Sequence, residues 1–188
     1  MSWKPSSVAN PPNKMRTLIL IPTETEAAPL RAACPDAPVR IAGVGMAAAA
    51  AATARIIAEE HPDRLILAGI AGASDRSVAL CEVVAVAGER IAELPGKYAV
   101  RYAADFIPAG LRTVESNTTN RTGVAASGTQ IENMEGAAFL AVCRAFGVPG
   151  AEVRAVSNYT DDPRSAWRIE ESAEKLAKTI IRILPDYE

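Results

Sequence analysis

Histidine is the scarcest reactive residue in this sequence, because His61 is the only one among 188 residues. It precedes Pro62 and Asp63, between a predicted helix and a predicted strand, which indicates a turn. One histidine in such a position excludes a Ser-His-Asp triad, a Cys-His pair and multi-histidine metal sites. We therefore expect no metal and no other cofactor.

Cysteine is also rare, and its spacing indicates no site. Cys34, Cys81 and Cys143 are odd in number, far apart and set among apolar or alanine-rich neighbours. Neither a disulfide framework nor a zinc site follows from that spacing. We expect all three to be reduced and buried as small hydrophobic side chains.

A strong charge of one sign and long apolar runs are missing as well. The formal net charge is −2 and the sequence pI is about 5.6, so nothing favours binding to nucleic acid or to an anionic membrane. No apolar run reaches the roughly 18 residues that span a bilayer, and the N-terminal segment lacks the apolar core of a secretory signal. We expect a cytoplasmic protein without nucleic-acid or membrane partners.

The sequence does contain alternating strand-like and alanine-rich segments. Strands are predicted at 17–21, 39–45, 64–72, 81–86 and 111–114, and helices at 46–60, 134–146 and 167–184. A further helix follows the first strand, with Thr23 or Thr25 as its N-cap. By length, residues 15–188 form one domain after an irregular arm over 1–14 that contains three prolines.

A glycine turn follows the second strand, in the sequence GVGMAA of residues 43–48. It matches a loose dinucleotide-binding pattern, which also requires an acidic residue about 20 positions further on, at the end of the next strand. That strand ends Leu67-Ala68-Gly69, so the acid is missing. A close approach of the backbone to a small ligand explains the glycines better.

Two stretches carry most of the chemistry, residues 131–139 (IENMEGAAF) and residues 153–158 (VRAVSN). Asn133 is a suitable N-cap, which would place Glu135 in the first turn of a largely buried helix. Such a carboxylate is either a plain helix-terminus charge or a group that faces a ligand, and the residues alone leave both open. The second stretch indicates a buried strand that ends in polar residues where the chain leaves the sheet.

The motifs MEGAA at 134–138 and VRAVSN at 153–158 resemble the C-terminal signature of the purine nucleoside phosphorylase and nucleosidase superfamily. Within it, residues 131–139, 157–159 and 167–169 look most like futalosine hydrolases. The resemblance implies an α/β fold, a three-layer αβα sandwich around a mixed, largely parallel sheet. It also implies a purine nucleoside as substrate and a homodimer or higher homo-oligomer.

The resemblance also assigns site residues. Glu135 would bind the ribose 2′- and 3′-hydroxyls with Met134 packed on the sugar, Glu26 would orient the attacking water, and Asn158 would hydrogen-bond the leaving base. Further substrate contacts would come from the turn after the second strand, the end of the third strand and the last strand. These are Val44, Ile70, Ala71, Gly72, Arg154 and Ser157, with Arg154 mainly holding Glu135.

Asn158 bears on which base is released. An amide NH2 can donate a hydrogen bond to N7 or O6 of a 6-oxopurine as negative charge builds, whereas relatives that split adenine nucleosides carry an aspartic acid there. This favours futalosine, cleaved to hypoxanthine and a dehypoxanthinyl product in menaquinone synthesis. Phosphorolysis is disfavoured because acidic residues occupy residues 22–26, where phosphorylases bind phosphate.

Two alternatives stay open beside this hypothesis. The first is another purine nucleosidase or phosphorylase, of the methylthioadenosine or inosine type. The second is a non-catalytic relative, because residues 95–128 are shorter than the same segment of the family and would lack a base-closing lid. Within that segment, Tyr102 or Phe106 would either stack on the base or simply pack in the protein.

Overall fold

The computed structural model describes residues 15–123 and 128–187, and the predicted arm over 1–14 lies outside them. The strands of this part of the chain are β1 (Thr17–Ile21), β2 (Val39–Ile41), β3 (Arg64–Ala73), β4 (Val83–Ile91), β5 (Tyr102–Ala103), β6 (Arg112–Thr118), β7 (Ile131–Asn133) and β8 (Gly150–Tyr159). Its α-helices are α1 (Glu24–Ala33), α2 (Met46–Glu60), α3 (Gly136–Phe146) and α4 (Ile169–Ile183).

The strands form one mixed sheet that closes on itself. β2, β1 and β3 are parallel neighbours, and β3 also pairs with β8 in parallel and with β7 in antiparallel orientation. β7 is parallel to β6, and β6 is parallel to β4. Because β4 also pairs antiparallel with β8, strands β3, β7, β6, β4 and β8 form a ring.

The helices cover two sides of β1 and β3. Successive side chains of a strand point to opposite faces. Leu18 and Leu20 therefore pack with α2 and α3 in one cluster, whereas Ile19 and Ile21 pack with α1 and α4 in another. Every residue of β1 is buried, which explains its unbroken apolar sequence.

The predicted α/β class with a mixed, largely parallel sheet is confirmed. The three-layer sandwich stays a prediction, because a ring of strands differs from an open sheet with helices on its two faces. The single domain over 15–188 with a shortened segment 95–128 also stays a prediction.

The observed bounds of helices and strands agree best with the predicted ones where the sequence pattern is strongest. β1 and α2 have the predicted bounds, and Thr23 is the N-cap of α1, where its side chain accepts a hydrogen bond from the backbone N–H of Glu26. α3 begins at Gly136 instead of Met134, because residues 131–133 pair as a strand. β4 and β6 both extend beyond the predicted strands, to Ile91 and Thr118.

The prediction for the cysteines is confirmed in part. Cys143 is buried as predicted, but Cys34 and Cys81 are half-buried, and all three are free thiols. Across the residues that the structure describes, no helix is long and apolar enough to cross a membrane.

Phe139 in α3 provides a test of the core between helix and sheet. Its ring is fully buried, and we expect Phe139→Ala to lower the free energy of unfolding by about 3–5 kcal/mol through lost burial and a residual cavity. Urea denaturation monitored by circular dichroism measures this loss. Phe146→Ala is the matched control, because Phe146 lies in the same helix and is 51% exposed. Similar losses in both variants would contradict the described packing.

Candidate active site

One cavity of about 210 Å³ lies at the carboxyl ends of β1, β3 and β8, beside the starts of α1 and α3. Ligands of open α/β sheets bind at this edge of the parallel strands. All ten site residues suggested by the sequence line this cavity: Glu26, Val44, Ile70, Ala71, Gly72, Met134, Glu135, Arg154, Ser157 and Asn158.

Glu26 enters the cavity from the first turn of α1. Its Oε2 accepts a hydrogen bond from the backbone N–H of Ile70 at 2.9 Å, and its Oε1 accepts one from Thr23 Oγ1 at 2.8 Å. Burial raises the pKa of Glu26, against the lowering effect of these two hydrogen bonds. The carboxyl group is therefore fixed in position and protonates more readily than an exposed glutamate.

Glu135 precedes α3 and is only 4% exposed. Its Oε1 accepts a hydrogen bond from the backbone N–H of Gly45 at 3.0 Å, and its Oε2 accepts one from Arg154 Nη1 at 3.3 Å. Gly45 has a φ of +88°, a conformation that favours glycine, so the turn after β2 is shaped to present this N–H. Gly45 of this turn thus contacts a site carboxylate.

Asn133 caps α3 through its side chain, although it ends β7. Its Oδ1 accepts hydrogen bonds from the backbone N–H groups of Glu135 at 2.9 Å and Gly136 at 2.8 Å. The predicted capping chemistry is therefore present, but Glu135 lies just before the helix and not in its first turn.

Arg154 connects these parts from the middle of β8, where it is fully buried. Its guanidinium donates to Glu152 Oε1 at 2.7 Å, to Asn133 Oδ1 at 3.0 Å, and to Glu135 Oε2 and the Ile70 carbonyl at 3.3 Å each. Burial lowers the pKa of Arg154, but the carboxylates of Glu152 and Glu135 outweigh this effect and raise it. The group therefore stays charged.

Asn158 is held in one orientation at the end of β8. Ser157 Oγ donates to Asn158 Oδ1 at 2.8 Å, and Asn158 Nδ2 donates to the Tyr159 carbonyl at 2.9 Å. A Cβ added at Gly72 would lie 3.1 Å from Asn158 Nδ2, so the glycine keeps space beside the amide nitrogen. The NH2 group, and not the amide oxygen, is directed toward this space.

Several residues of the cavity wall were not predicted from the sequence, and of the two roles left open for Tyr102 and Phe106 the structure shows packing. Tyr102 and Phe106 do not line the cavity, because each packs against a core cluster. Trp167 is the aromatic side chain of the wall, with the Arg164 guanidinium 4.2 Å from its ring centroid. The remaining unpredicted wall residues are Pro22, Thr23, Thr119, Thr122, Glu132 and Asn133.

The sequence analysis also missed a layer of carboxyl groups behind the cavity. Glu89 on β4 and Glu152 on β8 are both fully buried, and Asn133 Nδ2 donates to Glu89 Oε1 at 2.5 Å and to Glu152 Oε1 at 3.2 Å. A glutamate inside an apolar strand such as Ala151-Glu152-Val153 was the available signal, because a buried carboxyl group requires partners.

This arrangement can bind a polyhydroxylated, uncharged ligand and stabilise positive charge on it. The carboxyl groups of Glu26 and Glu135 reach the cavity from α1 and from the start of α3, Glu132 of β7 also lines it, and the Asn158 amide is on β8. Within the described ranges, no cluster of three acidic, histidine or cysteine side chains is arranged to hold a metal ion. The chemistry supported by these groups is hydrogen bonding and electrostatic stabilisation.

Comparison with known proteins agrees with this class of site. A family model described as the phosphorylase superfamily matches residues 110–187. A futalosine hydrolase from Thermus thermophilus is 32% identical, with 77% of this chain and 79% of the relative covered. The chain therefore belongs to the phosphorylase superfamily. Within it, the chain is a homologue of futalosine hydrolase.

Solved structures share the fold at low sequence identity. A futalosine hydrolase mutant of Helicobacter pylori superposes with a TM-score of 0.82 at 14% identity, over 92% of this chain and 99% of that chain. A 5′-methylthioadenosine/S-adenosylhomocysteine nucleosidase from Neisseria meningitidis gives 0.79 at 20% identity, over 92% and 100%. The chain thus has the overall fold of these two proteins.

Gly69 tests how tightly the charged groups of the site are packed. A Cβ added there would lie 2.6 Å from Arg154 Nη1 and 3.0 Å from Glu26 Oε2. We expect Gly69→Ala to lower the free energy of unfolding by about 1–3 kcal/mol, the usual cost of overpacking. Urea denaturation measures this change. Gly96→Ala is the control, since no atom lies within 4 Å of its added Cβ, and equal stability of the two variants would contradict the described contacts.

Proposed function

We propose that this chain hydrolyses the N-glycosidic bond of a 6-oxopurine nucleoside, with futalosine as the substrate and hypoxanthine as the released base. The observation that carries the proposal is the convergence of Glu26, Glu135 and Asn158 in one cavity. Three roles are needed to break such a bond by hydrolysis: stabilisation of a cationic sugar, positioning of water and stabilisation of the leaving base. Each of these residues suits one role.

Glu135 binds the ribose 2′- and 3′-hydroxyls in this proposal. A carboxylate that accepts hydrogen bonds from both hydroxyls is charge-assisted, at about 1.5–3 kcal/mol per bond, and favours a positive sugar over a neutral one. Gly45 and Arg154 hold its two oxygens, which supports a fixed direction of approach. Met134, half-buried beside it, packs on the sugar.

Glu26 positions the attacking water on the opposite side of the sugar. Its carboxyl group is anchored by Ile70 and Thr23, and its raised pKa brings it nearer the range in which a general base works at neutral pH. The same carboxylate would repel phosphate at the start of α1. Water is therefore the proposed nucleophile.

Asn158 stabilises the base as it leaves. The hydrogen bond from Ser157 occupies the amide oxygen, which supports the NH2 group as the donor to N7 or O6. Such a donor suits the 6-oxopurine of futalosine. Trp167 takes the role of the aromatic wall beside the base, in place of Tyr102 and Phe106.

The proposal also covers the pathway, the cellular location and the assembly of this chain. A futalosine hydrolase acts in menaquinone synthesis, and we propose that role and a cytoplasmic location for this chain. We also propose a three-layer αβα arrangement and a homo-oligomer. Exposed apolar side chains on the connection between β4 and β5 support the homo-oligomer: Leu94, Tyr98 and Val100.

A methylthioadenosine-type nucleosidase is the second candidate. The structural likeness to the Neisseria meningitidis enzyme favours it, because that protein has the same fold over the whole of its chain. Asn158 argues against it, since an amide cannot transfer a proton to N7 of adenine. A non-catalytic relative remains the outcome if no base is released.

Base release is the first measurement. Futalosine, inosine and methylthioadenosine are incubated with wild type and with Glu135→Gln, with and without phosphate. We expect phosphate-independent release of hypoxanthine from futalosine, and a loss on the order of 10²–10³ in kcat for Glu135→Gln, comparable to removing one preorganised electrostatic contact.

The matched control is Glu174→Gln, the same change at an exposed position of α4. It should behave like wild type. Release only with phosphate would establish a phosphorylase instead, and no release from any of the three nucleosides by folded protein would establish the non-catalytic relative.

Asn158→Asp tests the choice of base. A carboxylic acid in this position can donate a proton to N7, so the ratio of kcat/KM for methylthioadenosine over futalosine should rise by about 10²-fold, within the range of general acid catalysis. Initial rates at several pH values give this ratio. An unchanged ratio would show that Asn158 does not select the base.

A further inference from the structure

Glu89 and Glu152 lie face to face behind the proposed active site, and both are fully buried. A Cβ added at Gly136 would lie 2.5 Å from Glu89 Oε1 and 2.5 Å from Glu152 Oε2, so these two oxygens border the same small space. The side chains are also within hydrogen-bonding reach of each other. Two ionised carboxylates in this position would repel strongly.

Three of the four oxygens of this pair accept hydrogen bonds. Glu89 Oε1 accepts from Asn133, Glu89 Oε2 accepts from Thr118 Oγ1 at 2.9 Å, and Glu152 Oε1 accepts from Arg154 and Asn133. Over the described residues, Glu152 Oε2 is the buried side-chain oxygen or nitrogen without a hydrogen-bond partner. A buried oxygen without a donor is costly, and a proton on that oxygen removes the cost.

The charges around Arg154 lead to the same conclusion. One buried guanidinium faces Glu152 and Glu135 directly, with Glu89 and Glu26 next to them. A single positive charge cannot compensate four buried carboxylates. At least one of these groups therefore has to be neutral.

We infer that Glu89 and Glu152 share one proton between Glu89 Oε1 and Glu152 Oε2, and that this acid pair is a positioning device for Arg154 and Asn133. The pair then carries a single negative charge, and Glu152 still accepts the hydrogen bond from Arg154 Nε through Oε1. The charge of the guanidinium is therefore available to Glu135 as well. Glu135 is thereby held by the guanidinium and directed toward the ribose, so the role of the pair in catalysis rests on the proposed function.

The titratable and charged groups near the pair are few. Arg154 comes from β8, Glu135 from the start of α3, and Glu26 from α1 beyond them. The side chains of β6 and β7 that hydrogen-bond within this cluster are neutral: Ser116, Thr118 and Asn133. Burial raises the pKa of both acids of the pair, and their mutual repulsion raises that of Glu89 further, which supports a retained proton at neutral pH.

Infrared spectroscopy tests the proton directly. Protein labelled with ¹³C in its glutamate carboxyl groups should show a carboxylic acid C=O band at pH 7, and Glu152→Gln should lose the intensity of one acid group. Glu174→Gln on the surface should leave the band unchanged. An acid band of equal intensity in wild type and Glu152→Gln would overturn the assignment, because the proton would then reside elsewhere.

Stability against pH gives a second readout that does not need a substrate. The folded state holds the proton, whereas the unfolded chain releases it above the ordinary value of 4.5, so rising pH favours unfolding. Relative to Glu152→Gln, the unfolding equilibrium constant of wild type should rise by up to about tenfold per pH unit until the folded pKa is passed. Parallel curves for the two proteins would overturn the proposal.

Two substitutions of Glu152 separate a positioning role from simple burial. Gln mimics the protonated acid, because its oxygen can accept from Arg154 and its NH2 can donate to Glu89. Leu fills a similar volume but leaves Arg154 Nε unpaired. We expect kcat/KM for futalosine within about threefold of wild type for Glu152→Gln and a loss on the order of 10² for Glu152→Leu, as misplaced catalytic groups produce.

The outcomes distinguish the acid pair from the function itself. If wild type releases no base from any nucleoside, the proposed function fails, while the infrared band and the stability curves still decide the acid pair. If both substitutions lose activity equally in folded protein, mimicry of the protonated acid does not rescue the site, and the positioning role is overturned.

Discussion

The buried guanidinium of Arg154 is the constraint on which both the fold and the site depend. Moving such a charge out of water costs several kcal/mol unless charged and hydrogen-bonding partners surround it. Those partners come from different parts of the sheet: the Ile70 carbonyl on β3, Asn133 on β7 and Glu152 on β8. The ring of strands brings them within reach of one side chain. The hydrogen bonds that Arg154 makes to these strands therefore stabilise the ring and also orient Glu135.

Glycines at two positions show how little free space surrounds these buried charged groups. Gly69 passes between Arg154 and Glu26, and Gly136 faces the oxygens of Glu89 and Glu152. At each position any side chain would displace a charged or acidic group. The backbone can approach these groups so closely because glycine has no side chain.

The sequence predicted the local parts of this protein well. β1 and α2 have unbroken apolar or alanine-rich patterns with clear ends, and each of the ten suggested site residues lines the cavity. Closure of the ring was not predictable, because pairing of β8 with both β3 and β4 depends on contacts between distant segments. Strand β7, which ends directly before the MEG motif, was missed because its three residues are too few to show a strand period.

The aromatic side chain of the cavity and the pair of buried acids could not be predicted from sequence patterns. Tyr102 and Phe106 lie in the segment where the family closes over the base, but each packs against a core cluster. Trp167, which follows β8, lines the cavity instead. Glu89 and Glu152 are spaced far apart in sequence, so only tertiary structure could bring their carboxyl groups together. A buried acid in an apolar strand nevertheless indicates that a partner exists.

The double pairing of β8 also has a consequence for the order in which the molecule assembles. Leu65 pairs with Gly150 and Val83 with Ala155, so the ring is completed by a strand that is synthesised long after its neighbours. Contacts between segments so distant in sequence give a high contact order, which slows folding toward the millisecond to second range. Until β8 docks, β3 and β4 expose unpaired strand edges, so the nascent chain depends on β8 for protection from aggregation.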